Sequence, residues 1–111
     1  PYSQAIVSGD LVYTSGQIAL NPESNMVETA DIEGQTEQVM KNLGAVLEEA
    51  GSGFEYAVKT TCFLAEMSDF NAFNQVYGKY FTGKPARSCV AVKSLPKNVL
   101  VEVEVIAELK K

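Results

Sequence analysis

The stretch VLVEVEVIAEL near the C-terminal end constrains this chain more than any other, because its apolar residues recur at every second position. Val101, Val103, Val105 and Ala107 share one face, and Glu102, Glu104 and Ile106 share the other. Side chains alternate across a strand, so this reads as a strand with one face committed to a core. A strand of that kind needs partner strands beside it and a second layer against its apolar face.

The partners are legible upstream. QAIVSGDLVYTSGQI holds two strand-like runs around Ser8-Gly9-Asp10, which predicts a hairpin over residues 4 to 16. ALNPESNMVETA is rich in turn formers and reads as a loop with a short extended piece at Met26-Val27. YAVKTTCFLA, residues 56 to 65, alternates Val58, Thr60, Cys62 and Leu64 against Lys59, Thr61 and Phe63, as a strand does. SCVAVK gives a further short strand after the break at Gly83 and Pro85, and SLPKN is the loop before the last strand.

The second layer comes from two helical stripes. From Asp31, an expected N-cap, Val39, Met40, Leu43, Val46, Leu47 and Ala50 recur at helical spacing up to the stop at Gly51. Ser68 or Asp69 is expected to cap a second helix, with Phe70, Phe73, Val76, Tyr77, Tyr80 and Phe81 on one side. The order is ββαβαββ, an α+β sheet with two helices on one face, and its other face needs another cover. Residues 56 to 93 should form a parallel, right-handed strand-helix-strand unit. With 111 residues, the reading is one domain spanning 1–111.

Composition narrows the functional classes. A formal charge of -5 argues against nonspecific nucleic-acid binding, which draws its affinity from Lys and Arg on phosphates. No apolar run approaches the roughly 20 residues of a membrane span, and no basic or apolar leader is visible at Pro1, so a cytoplasmic setting is expected. There are no histidines, which removes the usual base of a nucleophilic triad and the commonest metal ligand. Cys62 and Cys89 lack a second pair or a neighbouring histidine, so no metal site is expected and both should be reduced thiols. Proton transfer must then use carboxylate, Lys, Tyr, Cys or water.

Several residues can carry chemistry, and each has a plainer alternative. Arg87, the single arginine among nine basic residues, can grip a carboxylate with two hydrogen bonds, or pair with a surface acid. Glu104, on a strand otherwise strongly apolar, can face a cleft as a proton acceptor or donor, or guard an exposed edge. Ser15 and Gly16 sit where backbone N–H groups can approach a ligand, or simply form a turn. Asn74 can reach from the second helix or face water, and Tyr2 can close a pocket or pack on the core. Cys89 should point to the same side as Arg87, as a pocket-lining thiol more readily than a nucleophile. Lys59 can form a Schiff base if buried, or snorkel to solvent.

Taken together, PYSQAIVSGDLVYTSGQI, VKTTCFLAEMSDFNAFNQVYGKYF, PARSC and LPKNVLVEVEVIA closely resemble the RidA/YjgF family over essentially the whole chain. The resemblance implies a chorismate-mutase-like α+β fold and a homotrimer with ligand clefts between subunits. It further implies hydrolysis of 2-imino acids to 2-keto acids and ammonia, limiting metabolite damage, with no cofactor. Arg87 occupies the position that binds the substrate carboxylate, Glu104 the one associated with the attacking water, and Cys89 lines the cleft. Tyr2, Ser15, Gly16 and Asn74 match positions at or near the site. Two departures stand out. The family carries a short N-terminal strand region ahead of the PYSQ-like motif, so a truncated or unusually short member is expected, and the Phe81–Pro85 connection is short, with Lys84 in place of an aromatic residue. The competing readings are a noncatalytic keto-acid-binding regulatory module and an RNA-cleaving translation inhibitor.

Overall fold

The computed structural model describes residues 1–111. The hairpin comes first, as β1 (Ala5–Ser8) and β2 (Leu11–Thr14), joined by Gly9-Asp10 with Gly9 at φ +61°, which glycine adopts without a Cβ penalty. In the following loop, Leu20 and Val27 form an isolated bridge, the extended piece expected there. Helix α1 (Ile32–Glu49) is capped by the Asp31 side chain, which accepts from the Gly34 N–H at 2.8 Å, and ends at Gly51, where φ is +87°. It buries Ile32, Val39, Met40, Leu43 and Leu47, whereas Val46 and Ala50 lie at the margin of the stripe, half-buried.

Strand β3 (Ala57–Leu64) leads into α2 (Phe70–Tyr80), and here one expectation fails. Neither Ser68 nor Asp69 caps α2 through its side chain. A single 3-10 turn over Met67–Asp69 runs directly into the helix, and its backbone bonds, including Phe70 N–H to the Met67 carbonyl, do that work. Phe73, Val76, Tyr77 and Phe81 are buried, while Phe70 and Tyr80 remain half-exposed. Strand β4 (Ala86–Ala91) starts two residues before the expected SCVAVK run, so Arg87 lies within a strand. Strand β5 (Val101–Glu108) closes the sheet.

The strand order is β1-β2-β5-β3-β4, with β3 and β4 parallel and every other pair antiparallel. Val12, Cys62, Leu64, Val101, Val103, Val105 and Ala107 share one core with the two helices. Polar groups buried there are satisfied. The Thr60 hydroxyl bonds the Tyr77 phenol at 2.7 Å, and Gln35 donates to the Thr29 carbonyl and accepts from Leu100 N–H. Lys79 and Tyr80 of α2 both bond the Glu37 carboxylate of α1, tying the helices together on their outer side.

No helix covers the opposite face. Register places Ile6, Tyr13, Ile106 and Lys59 in one row across it, Glu104, Thr61 and Ser88 in the next, and Glu102, Phe63 and Val90 in a third. Ile6 is 56% exposed, Tyr13 43% and Val90 44%, so exposed apolar side chains flank the polar centre on both sides. No helix is long and apolar enough to cross a membrane.

Candidate functional site

The residues singled out in the sequence divide into two groups on opposite faces of the sheet. Arg87 stands in register with Thr60, and Thr60 with Val105, so Arg87 belongs to the helix-facing row. Glu104 stands opposite Thr61, one residue along, and belongs to the open face. The sheet itself separates the guanidinium from the carboxylate within one chain.

The first group gathers at the edge strand β4. Arg87 donates through Nη1 to Asn74 Oδ1 at 2.7 Å, and its guanidinium lies 4.8 Å from the Tyr77 ring centroid and 5.4 Å from that of Phe70. These three side chains project from one side of α2, because positions 70, 74 and 77 are four and three residues apart. Tyr77 is itself hydrogen-bonded to Thr60 at 2.7 Å, which orients the ring under the cation. No acidic side chain pairs with Arg87; the one ion pair in the chain joins Lys79 to Glu37. The surface-pair alternative for Arg87 is therefore absent, and Arg87 lines a cavity of about 560 Å³ together with Asn74, Tyr77, Gly78 and Lys84.

Cys89 follows on the same side, in register with Cys62. Burial pushes the Cys89 thiol up despite the opposing influence of Arg87, and burial pushes Cys62 up to about 12. Both favour the neutral thiol, which suits a pocket wall and disfavours a nucleophile. No group of three His, Cys, Asp or Glu side chains is arranged to hold a metal ion.

The second group lines a cavity of about 520 Å³ on the open face: Tyr2, Ser15, Gly16, Gln17, Glu102 and Glu104. Its rim is made by a bulge. β2 pairs with β5 up to Tyr13 opposite Ile106, and pairing resumes with Gln17 opposite Val103, leaving one extra residue on the first side. The Thr14 hydroxyl fills the gap by accepting from Val105 N–H at 3.0 Å. Ser15 and Gly16 are thereby pushed out, and Ser15 ties down the N-terminal segment through its hydroxyl to the Ser3 carbonyl at 2.5 Å and its N–H to the Gln4 carbonyl at 2.8 Å. Gly16 packs so closely on the Glu102 carboxylate that a Cβ there would collide with it.

Glu102, which the sequence showed sharing a face with Glu104 but to which it gave no site role, lines the cavity beside it. Burial, followed by the neighbouring Glu104 charge, raises its carboxyl above the usual 4.5. The signal was available, since E-x-E on a strand puts both carboxylates on one face. What was hidden is the Gly16 bulge that crowds the first of them. The aromatic bed of Arg87 was also missed, although Phe70 and Tyr77 stand two helical turns apart. Lys59 lies half-exposed on the open face, its Nζ 3.3 Å from the Ser88 hydroxyl and from the Thr60 carbonyl. It is not the deeply buried amine that Schiff-base chemistry requires.

Residues 1–109 match the family model described as Endoribonuclease L-PSP. Among curated relatives, a RutC family protein of Synechocystis is 52% identical over 98% of this chain and 86% of its own length. The chloroplastic Reactive Intermediate Deaminase A of Arabidopsis thaliana is 46% identical over 98% of this chain and 59% of its own length. Among solved structures, E. coli TdcF with bound serine superposes with a TM-score of 0.93 at 36% identity, covering 99% of this chain and 89% of that one.

Proposed function

We propose, for a chain that belongs to the Endoribonuclease L-PSP family, known also as YjgF/RidA, that it hydrolyses 2-imino acids to 2-keto acids and ammonia at a site completed between copies. The observation that carries this reading is Arg87, a cation fixed on an aromatic bed and bonded to a neutral amide with no acid beside it. A guanidinium so presented suits a carboxylate, to which each charge-assisted hydrogen bond contributes about 1.5 to 3 kcal/mol.

The chemistry needs a second half. Glu104, with Tyr2, Ser15 and Gly16, faces away from Arg87 in the same chain, so the two halves meet only if Arg87 of one copy approaches the open face of another. The exposed apolar side chains of Ile6, Tyr13 and Val90 support burial of that face against further copies. A ring of three is the assembly we propose, following the family resemblance; any head-to-tail contact that closes gives each copy both roles once.

In that site Arg87 holds the carboxylate of the imino acid while Glu104 orients a water toward the C=N carbon. Imine hydrolysis proceeds unaided in water, so orientation and modest proton management suffice. Asn74 fixes the guanidinium, and Cys89 contributes an unreactive wall. The relative named Reactive Intermediate Deaminase A supports the reaction class, and the serine bound to TdcF supports a small amino-acid-like ligand. The limiting of metabolite damage, in a cytoplasmic setting, is the role that fits this activity.

The family description as an endoribonuclease is a weaker guide for this chain. Its net charge of -5 and paired open-face carboxylates repel a phosphate backbone, and a single arginine does little to offset them. The test is to generate 2-iminopropanoate in situ with an amino-acid oxidase and follow its loss. Acceleration that disappears in Glu104→Gln while keto-acid binding persists supports hydrolysis; no acceleration by the folded protein refutes it, and leaves a ligand-binding module.

A further inference from the structure

We propose that Lys84 makes this site selective for 2-imino dicarboxylates, its ammonium taking the second carboxylate of a short imino diacid whose first carboxylate is held by Arg87. This rests on the deaminase reading above and names the substrate class within it. Lys84 and Arg87 line one cavity of about 560 Å³, together with the polar side chains of Asn74 and Thr82. No acidic residue lines that cavity, and neither cation has an ion-pair partner, since the one such pair in the chain joins Lys79 to Glu37. Two cations that share a cavity without a counter-charge repel each other, and a monoanion compensates only one of them. A dianion compensates both.

The backbone sets Lys84 apart from an ordinary surface lysine. The turn from α2 to β4 closes through the Lys84 N–H on the Phe81 carbonyl at 3.3 Å, and Lys84 holds φ +54°. That left-handed conformation favours glycine, yet the glycine of this turn, Gly83, stands one residue earlier and is not the one that adopts it. A lysine occupies the strained position instead, three residues ahead of Arg87, and backbone strain retained in this way is a feature of ligand clamps. Pro85 follows, and its fixed φ limits play between the two cations.

The other half of the site decides which way such a substrate lies. Glu102 and Glu104 line the open-face cavity and no cation does, so a second carboxylate directed there meets like charge. Both carboxylates therefore turn to the Arg87 and Lys84 side, and the C=N carbon faces Glu104 of the neighbouring copy. The chemistry is otherwise unchanged. The water oxygen bonds to the imine carbon, the C–N bond breaks with its electron pair on nitrogen, and both water protons end on that nitrogen. 2-Iminosuccinate thus gives oxaloacetate and ammonia.

The test compares kcat/KM for 2-iminosuccinate, made in situ from aspartate with an aspartate oxidase, with that for 2-iminopropanoate, each above its uncatalysed rate. Wild type, Lys84→Gln and Lys84→Arg are measured as assembled proteins. The ratio of the two constants is the readout, because general damage to the fold lowers both. The wild type should favour 2-iminosuccinate, the Gln variant should lower the ratio about fivefold, the upper end for a partly exposed ion pair, and the Arg variant should keep it. Added salt should shrink the wild-type ratio toward that of the Gln variant. A wild type that favours the monocarboxylate, a ratio unchanged in the Gln variant, or an equal loss in the Arg variant overturns the role of Lys84 and leaves the deaminase reading intact. If neither imine is hydrolysed, the deaminase reading falls, and the affinity for oxaloacetate relative to pyruvate decides in the same three proteins: a relative affinity lowered only in the Gln variant supports dicarboxylate capture, and an unchanged one refutes it.

Discussion

Arg87 and Glu104 stand one residue out of step across β3, against Thr60 and Thr61, and for that reason face opposite sides of one sheet. A strand turns its side chains over at each residue, so a single register step separates a guanidinium from a carboxylate by the thickness of the sheet. The consequence is that a site needing both requires a second copy of the chain.

Asn74 holds Arg87 by one hydrogen bond to a charged group, at 2.7 Å. Asn74→Ala should raise KM about 10-fold or more, consistent with about 1.5 to 3 kcal/mol for such a bond, with a smaller effect on kcat. Steady-state kinetics on 2-iminopropanoate check this; an unchanged KM contradicts the positioning role.

Gly16→Ala should displace the Glu102 carboxylate, because the added Cβ occupies its place. The carboxylate ends a flexible side chain, so the fold should survive with a small change in melting temperature while kcat falls. Thermal unfolding and turnover measured on one sample separate the two effects.

Thr60→Val leaves the buried Tyr77 phenol without its 2.7 Å partner, at an expected cost of about 1 to 3 kcal/mol. Because Tyr77 lies beneath Arg87, substrate capture should weaken as well. Denaturant titration gives the first quantity and KM the second.

The pH dependence of stability has two carboxyl contributions of opposite sign. Glu37 is held below the usual 4.5 by Lys79 and Tyr80, so its contribution is present above 4.5 and lost as pH falls through the lower folded value. It is partly exposed and screened, so the effect is small. Glu102 is raised, so the folded state binds more protons than the unfolded chain just above 4.5, and stability declines as pH rises through that window. Glu102→Gln should remove this decline and be at least as stable as wild type at pH 7; urea unfolding across pH 4 to 8 reads it, and a large loss at neutral pH contradicts it.

Much of the fold was legible because period two and period 3.6 dominate each segment: β5, β3 and α1 follow their apolar spacing, and Gly9 and Gly51 mark the turn and the stop. The start of α2 was not, because a backbone 3-10 turn replaced the side-chain cap expected at Ser68 or Asp69. The side shared by Arg87 and Cys89 followed from alternation, but which side depends on the β3–β4 register, a nonlocal quantity. The crowding of Glu102 was hidden for a similar reason. Gly16 reaches it only through a bulge set by pairing between Gln17 and Val103, far apart in sequence.

The central claim, one site built from two copies, is tested most directly by complementation. Arg87→Ala and Glu104→Gln chains, each inactive alone, are co-assembled and isolated through two different tags. In a closed ring of three, either mixed ratio leaves about one site in three intact, so mixed assemblies should recover about a third of wild-type turnover of 2-iminopropanoate. Mixed assemblies as inactive as their parents would contradict the account.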